Sequence, residues 1–259
     1  MSTEINTVSL EREDHLAIIT INRPAARNAV NGDVAEGIER ALDDYEADSN
    51  LWVAILTAQG SVFSAGADLK EIAAGNVARL ATKKGGFGGL VRRARSKPLI
   101  AAVNGIAVAG GLELVLACDM AIAADSAKFG LPEVKRSLVA GAGGLFRLPR
   151  AIGKSMAMEL IMTGDTIDAA RALQLGLINA SVPADDLMAA ARALAGRISS
   201  NAPLAVQASR NVAERALVDD DDALWSLSRA ALKDITRTED FAEGPRAFIE
   251  KRAPVWKAK

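Results

Sequence analysis

The sequence predicts an α/β fold with largely parallel strand pairing, followed by a helical C-terminal region. Three observations carry this expectation. Strand-like and helix-like stretches alternate along the first two-thirds of the chain. Residues 51–58 (LWVAILTA) and 99–103 (LIAAV) are unbroken apolar runs, as strands buried on both faces require. From about residue 184 onward the pattern is helical throughout.

In chain order, residues 8–10 and 15–21 read as two short strands. Asn22-Arg23-Pro24 ends the second, because proline cannot donate to a ladder. Asn31-Gly32-Asp33 offers capping chemistry for a helix to about Ala47, with Val34, Ile38, Leu42 and Tyr45 at helical spacing. After the strand at 51–58, residues 60–66 read as a turn-rich loop, and Asp68 begins a short helix. Residues 74–89 (AGNVARLATKKGGFGG) read as an irregular, mobile segment, either a lid or binding segment or a tolerated insertion. Residues 99–103 form the next buried strand. Asn104-Gly105 turns it, Gly110-Gly111 opens a helix through Cys118, and residues 121–124 form another short apolar strand. Further on, Asn201-Ala202-Pro203 starts a helix, the acidic run 219–222 precedes a second at its favourable N-terminal end, and 238–251 is a third. This divides the chain into a core, residues 1–195, and a helical region, residues 196–259, expected to pack on its own domain or on a neighbouring subunit.

Composition excludes several function classes. The 31 Lys and Arg balance 32 Asp and Glu, a net charge of -1, so no cationic excess exists to neutralise a nucleic-acid backbone. Cys118 is the only cysteine and His15 the only histidine, which removes an intramolecular disulfide and metal sites built from His and Cys. A Ser-His-Asp triad would have to use His15, in a charged stretch before a strand. Residues 99–124 are long enough to cross a bilayer, but Asn104, Glu113, Asp119 and three glycines interrupt them, which favours a buried strand–turn–helix–strand. The polar N-terminus has no signal pattern, so the expected location is cytoplasmic, with no membrane partner. Two glycine-rich matches fail. Gly153-Lys154-Ser155 has Leu148 where a phosphate-binding loop needs its first glycine, and Gly141-Ala142-Gly143-Gly144 has Phe146 where a dinucleotide fingerprint needs its last.

Two other glycine turns point to chemistry. Ser64-Ala65-Gly66-Ala67-Asp68 leads into one helix and Ala109-Gly110-Gly111 starts another. Backbone N–H groups at a helix start lack internal partners and favour negative charge. Two of them converging on one point would form an oxyanion hole, suited to a thioester carbonyl becoming an enolate. Taken alone, such glycines serve equally well for close packing of helix on strand. Glu113, however, lies in an otherwise apolar stretch (AVAGGLELVLA), where a carboxylate is costly unless solvated, paired or used. Glu133 follows Gly130-Leu131-Pro132 at a helix start, a position that also suits an ordinary acidic residue.

Residues 100–120 (IAAVNGIAVAGGLELVLACDM) resemble the signature of the enoyl-CoA hydratase/isomerase (crotonase) superfamily. The supporting elements follow in the family's order: INRP with Asn28-Ala29, FSAGADLK at 63–70, FGLPE at 129–133, GAGG at 141–144, LIMTGD at 160–165, ALQLGLI at 172–178 and FIEKR at 248–252. The resemblance implies a spiral of ββα units and a C-terminal helical region that makes homotrimers, often paired into hexamers. It implies an acyl-CoA thioester substrate, with coenzyme A entering as part of the substrate, and neither cofactor nor metal. By position, Ala67 and Gly110 match the N–H donors to the thioester oxygen, and Glu113 and Glu133 match the catalytic glutamates of the hydratases. Ala65, Asp68 and Leu69 match the turn that wraps the adenine end of CoA. Ser64, Lys70, Gly111 and Pro132, inside the same motifs, join them as substrate-binding candidates, and Ala25 and Arg27 match more loosely. Phe248 and Lys251 match tail residues that reach CoA on an adjacent subunit.

The chain departs from the family pattern at Ala109, where a glycine is common, at Ala140, where proline is common, and at Leu145-Phe146, a pair that is often Thr-Gln. The tail at 243–257 and the GGFGGL segment at 85–90 are more similar to the carnitinyl-CoA (crotonobetainyl-CoA) hydratase branch. The expected activity is therefore addition of water to an enoyl-CoA. The competing readings are a carnitinyl-CoA dehydratase or isomerase of the same superfamily, and a non-catalytic acyl-CoA-binding protein.

Overall fold

The computed structural model describes residues 7–259. Its centre is a six-stranded sheet in the order Val8–Glu13, Leu16–Ile21, Val53–Ala58, Leu99–Val103, Met120–Ala124, Ala180–Val182. The first pair is antiparallel and every later pairing is parallel. The unbroken apolar runs have a direct cause. Along Val53–Ala58, Ala54 and Leu56 join the larger core, while Val53 and Ile55 join a second cluster on the opposite face, closed by Leu187, Ala191 and Ala195 of the Leu187–Ser199 helix. Each residue of this strand is buried, so the period-two alternation exists but separates two dry faces rather than a dry face from a wet one.

A second, four-stranded sheet lies beside the first, in the order Thr166–Asp168, Lys128–Gly130, Ile106–Val108, Val62–Ser64. Its strands alternate along the chain with those of the large sheet. Val53–Ala58 is followed by Val62–Ser64 and the Leu69–Ala73 helix. Leu99–Val103 is followed by Ile106–Val108 and the Gly110–Leu116 helix. Met120–Ala124 is followed by Lys128–Gly130 and the Pro132–Arg136 3-10 turn. This is the expected spiral of ββα units, and it is what assembles the site. The three short strands are neighbours in one sheet, paired in parallel at Ser64↔Ala107 and Gly130↔Val108. The turns leaving them therefore emerge side by side.

Several sequence expectations hold at the level of single caps. Asn31 caps Gly32–Ala47 by accepting from the Val34 N–H, Asp68 caps Leu69–Ala73, and Asp220 and Thr238 cap the Asp221–Ile235 and Glu239–Ile249 helices. Two expectations are corrected. The 60–66 loop contains the strand Val62–Ser64. The 74–89 segment, read as irregular, contains a 3-10 turn, Val77–Leu80, and a hairpin of Ala81–Thr82 with Gly86–Phe87. The hairpin is tied to the Gly32–Ala47 helix: Glu39 accepts from the Gly85 N–H at 2.8 Å and from the Thr82 hydroxyl at 2.5 Å. No helix among the described residues is long and apolar enough to cross a membrane.

Candidate active site

A cleft of about 1340 Å³ opens where the three turns emerge. Its walls carry Ala67, Gly110, Glu113 and Glu133, together with Ala25, Arg27, Ala65, Asp68, Leu69, Lys70 and Pro132. The first two turns touch. A Cβ added to Gly66 would lie 2.8 Å from the Gly110 nitrogen and 2.9 Å from the Ala109 Cβ. Neither the Ala67 nor the Gly110 N–H donates to a protein acceptor among the described residues. Gly66, at φ +89°, turns the chain so that its own carbonyl accepts from Val30 while the next N–H stays free. Ala109 adopts φ 53°, ψ -131°, a conformation that glycine favours, and its N–H is anchored to the Gly130 carbonyl at 2.9 Å.

Glu113 projects from the Gly110–Leu116 helix and is only 3% exposed. Its Oε1 accepts from the Ala142 N–H at 2.7 Å and the Gly144 N–H at 2.9 Å. Burial raises its pKa, opposed by these two amides and by the Arg147 charge. Glu133 sits in the Pro132–Arg136 turn. Its Oε2 is buried without a hydrogen-bond partner among the described residues. Burial, reinforced by the neighbouring Glu113 charge, pushes its pKa up to about 7. At about 7, Glu133 exchanges its proton readily near neutral pH, while the two amides on Glu113 favour its ionised form, an arrangement in which one carboxyl can give a proton while the other takes one. Among the described residues no group of three or more His, Cys, Asp or Glu side chains is placed to hold a metal ion.

A sequence model of the enoyl-CoA hydratase/isomerase family matches residues 11–259. The chain belongs to that family. Relatives agree along the full length. The short-chain-enoyl-CoA hydratase of Clostridium acetobutylicum is 41% identical over 253 residues, covering 96% of this chain and 97% of that protein. The crystal structure of an enoyl-CoA hydratase from Mycobacterium tuberculosis H37Rv superposes with a TM-score of 0.94 at 44% identity, covering 98% of this chain and all of that one. That of a carnitinyl-CoA hydratase from Mycobacterium avium is 45% identical over 98% of this chain and 99% of that one, with a TM-score of 0.77.

Within this family member, four of the sequence candidates stand apart from the cleft wall. Ser64 is fully buried beneath it, where its hydroxyl donates to the Asn28 carbonyl at 2.8 Å and accepts from the Gly66 N–H at 3.2 Å. Gly111 packs under the first turn; a Cβ there would lie 2.1 Å from the Ser64 carbonyl oxygen. Both shape the cleft from behind. Phe248, 85% exposed, lies in the last turn of the final helix, Glu239–Ile249, and Lys251 lies just beyond its end; neither lines this cleft. Asp68 is on the wall, but its carboxylate is engaged by Arg23 at 3.1 Å and by the Lys70 N–H at 3.0 Å.

The sequence reading missed four contributors. Ala142 and Gly144, in a segment that failed as a dinucleotide fingerprint and was given no role as a family element, supply the amides that hold Glu113. Phe87 packs its ring against Gly110, where a Cβ would come within 2.5 Å of the ring. Arg147 stands behind the 142–144 turn. The available signal was the run of small residues at 141–144, which suits exposed amides as well as phosphate binding.

Proposed function

We propose that this enoyl-CoA hydratase adds water across the 2,3 double bond of an enoyl-CoA thioester through Glu113 and Glu133. The supporting observation is one cleft holding a carboxylate fixed by two amides, a second carboxyl with a free buried oxygen, and two unpartnered N–H groups from touching turns. Ionised Glu113 takes a proton from water as the oxygen bonds to Cβ. The π electrons move onto the thioester oxygen, held by the Ala67 and Gly110 N–H groups. The enolate then collapses and Cα takes the proton of Glu133. Because the two carboxyls titrate as a pair, the proton gained by Glu113 restores Glu133 for the next turnover. Water addition transfers no net electrons, and coenzyme A enters as part of the substrate.

Arg27 and Lys70 at the cleft mouth suit the CoA phosphates, with Ala65 and Leu69 beside the adenine. Residues 1–195 serve as the catalytic core, and 196–259 as the oligomerisation region of a homotrimer or a hexamer of paired trimers. Exposed Trp225, Leu232, Phe248 and Ile249 support that reading, since surfaces of this kind are normally covered. In such an assembly Phe248 and Lys251 would reach the CoA of an adjacent subunit. Sedimentation of the purified protein tests the assembly.

The activity is tested by loss of enone absorbance with crotonyl-CoA and crotonobetainyl-CoA, for wild type, Glu113→Gln and Glu133→Gln. Each substitution is expected to cost roughly 100-fold or more. A variant that kept full activity would remove that residue from the mechanism. Preference for crotonobetainyl-CoA would place the chain with the carnitinyl-CoA hydratase branch. Tight binding of both thioesters without turnover would leave a binding protein.

A further inference from the structure

The carboxylate of Glu113 is aimed by the turn at 141–143 and by the first residue of the helix that follows it, Gly144–Ile152. The amides of Ala142 and Gly144 both reach its Oε1, and Gly143 between them turns at φ +108°. The helix fixes the Gly144 end of this arch, where the Gly143 carbonyl accepts from the Arg147 N–H at 2.9 Å; the Ala142 end lies outside the helix and needs support of its own, because turn amides alone have several accessible conformations. Arg147 supplies it. Its guanidinium donates through Nη1 to the Ala142 carbonyl at 3.3 Å and through Nη2 to the Val91 carbonyl at 2.6 Å. It lies across the arch so closely that a Cβ on Gly143 would fall 2.2 Å from Nη1. Arg150 shares the Phe146 ring with it, each guanidinium 5.3 Å from the ring centre.

We propose that Arg147 is a positioning residue for the base of the reaction: by spanning the Ala142 and Val91 carbonyls it holds the 142–144 arch so that both amides grip Oε1 of Glu113 and leave the other oxygen for water. The inference rests on Glu113 acting as that base. The guanidinium fork suits the task in a way an ammonium does not, since two carbonyls on different segments are held by one rigid planar group. Its charge acts in the same sense. Burial raises the Glu113 pKa, and Arg147 acts with the Gly144 and Ala142 amides to favour its ionised form, whose charge in turn raises the pKa of the neighbouring Glu133. The charged groups around Arg147 itself are Glu214, Glu113, Arg150 and Arg95. Val91 follows the Phe87 hairpin by four residues, so the same side chain ties that stretch of the cleft lining to the arch.

The test compares kcat/KM against pH for crotonyl-CoA hydration by wild type, Arg147→Met and Arg147→Lys, with thermal melts of each. Arg147→Met is expected to lose roughly tenfold to a hundredfold, chiefly in kcat, the scale of a small misplacement of a reacting group. Its acid limb is expected to move to higher pH, because Glu113 loses the nearby cation. Arg147→Lys keeps the charge but not the fork, so its acid limb stays near the wild-type position while the rate still falls. Wild-type rates in both variants would overturn the proposal. So would a loss that follows the melting temperature with both acid limbs unmoved, the outcome of a merely structural role. If Arg147→Met does not fold, Arg147→Lys decides: a lower rate with the limb in place supports the proposal, and an unchanged rate overturns it. A wild type that hydrates no enoyl-CoA thioester overturns the reaction itself, whereas an active wild type with indistinguishable variants overturns only the role of Arg147.

Discussion

Gly66 and Gly110 approach so closely that a methyl group on the first would stand 2.8 Å from the amide nitrogen of the second. The Ala67 and Gly110 N–H groups, the proposed donors to the thioester oxygen, are set by this contact between backbones. Gly66→Ala would force the turns apart and also place alanine at φ +89°, a strain of about 1–2 kcal/mol. The expected result is a fall in kcat of roughly 100-fold to 1000-fold, the scale of losing one oxyanion donor. Steady-state hydration of crotonyl-CoA measures the fall, and a urea titration measures the strain.

The neighbouring position predicts the opposite outcome for stability. Ala109 occupies φ 53°, ψ -131°, which costs alanine energy that glycine does not pay. Relief of that strain in Ala109→Gly is offset in part by the greater freedom of the unfolded chain. A net gain of about 0.5–1 kcal/mol is expected, with kcat/KM within about twofold of wild type. Urea unfolding and the hydration assay check the two halves.

The pH dependence follows from the shared proton of the glutamate pair. Burial and the Glu113 charge raise the Glu133 pKa to about 7, and burial also raises that of Glu113. In the proposed mechanism hydration needs Glu113 ionised and Glu133 protonated, and dehydration needs the reverse. Both states carry one proton, and the overall reaction neither releases nor takes up protons. The kcat/KM profiles in the two directions should therefore be the same bell, falling about tenfold per pH unit above an alkaline limb near 7. Assays with crotonyl-CoA across pH 5–9 check the limb: a rate that stayed level from pH 7 to pH 9 would remove Glu133 as the group that must carry the proton.

Asp119 predicts a loss of stability some way from the chemistry. Its carboxylate accepts from Arg95 at 3.0 Å, from Arg210 at 2.9 Å and from the Leu99 N–H at 2.8 Å. It thereby joins the Pro203–Arg215 helix to the start of a central strand and, through the bond from Arg95 to the Ala117 carbonyl, to the end of the Glu113 helix. Asp119→Ala would leave two largely buried guanidinium groups, those of Arg95 and Arg210, without this carboxylate. A cost of about 3 kcal/mol is expected in chemical denaturation, the low end for breaking a buried pair.

How far the sequence shows these features depends on the length of the signal. The caps at Asn31, Asp68 and Thr238, and the strands at 53–58 and 99–103, carry patterns that a single chain displays. The strands Val62–Ser64, Ile106–Val108 and Lys128–Gly130 do not. Three residues are too few for a period, and their extended form comes from pairing with one another. Glu113 was legible because a carboxylate among apolar residues calls for a reason. Ala142, Gly144 and Arg147 were not, because they meet Glu113 from about 30 residues further along the chain. The Phe87 hairpin was hidden by its glycines, which suggest mobility but permit tight turns tied down by Glu39.

The spiral of ββα units has a consequence for reading mutational data on this enzyme. Much of the cleft's chemistry is carried by amide groups that every residue except proline possesses. A scan replacing each side chain with alanine would leave Ala67 unchanged and would register Gly66, Gly110 and Gly111 only as steric damage. Such a scan would mark the two carboxylates, leave the Ala67 amide untested and report the Gly110 amide, the other proposed oxyanion donor, only through a clash with Phe87. By the same reasoning, an inhibitor anchored on those amides would meet resistance through added bulk, because a substitution that removes a side chain leaves the contact in place.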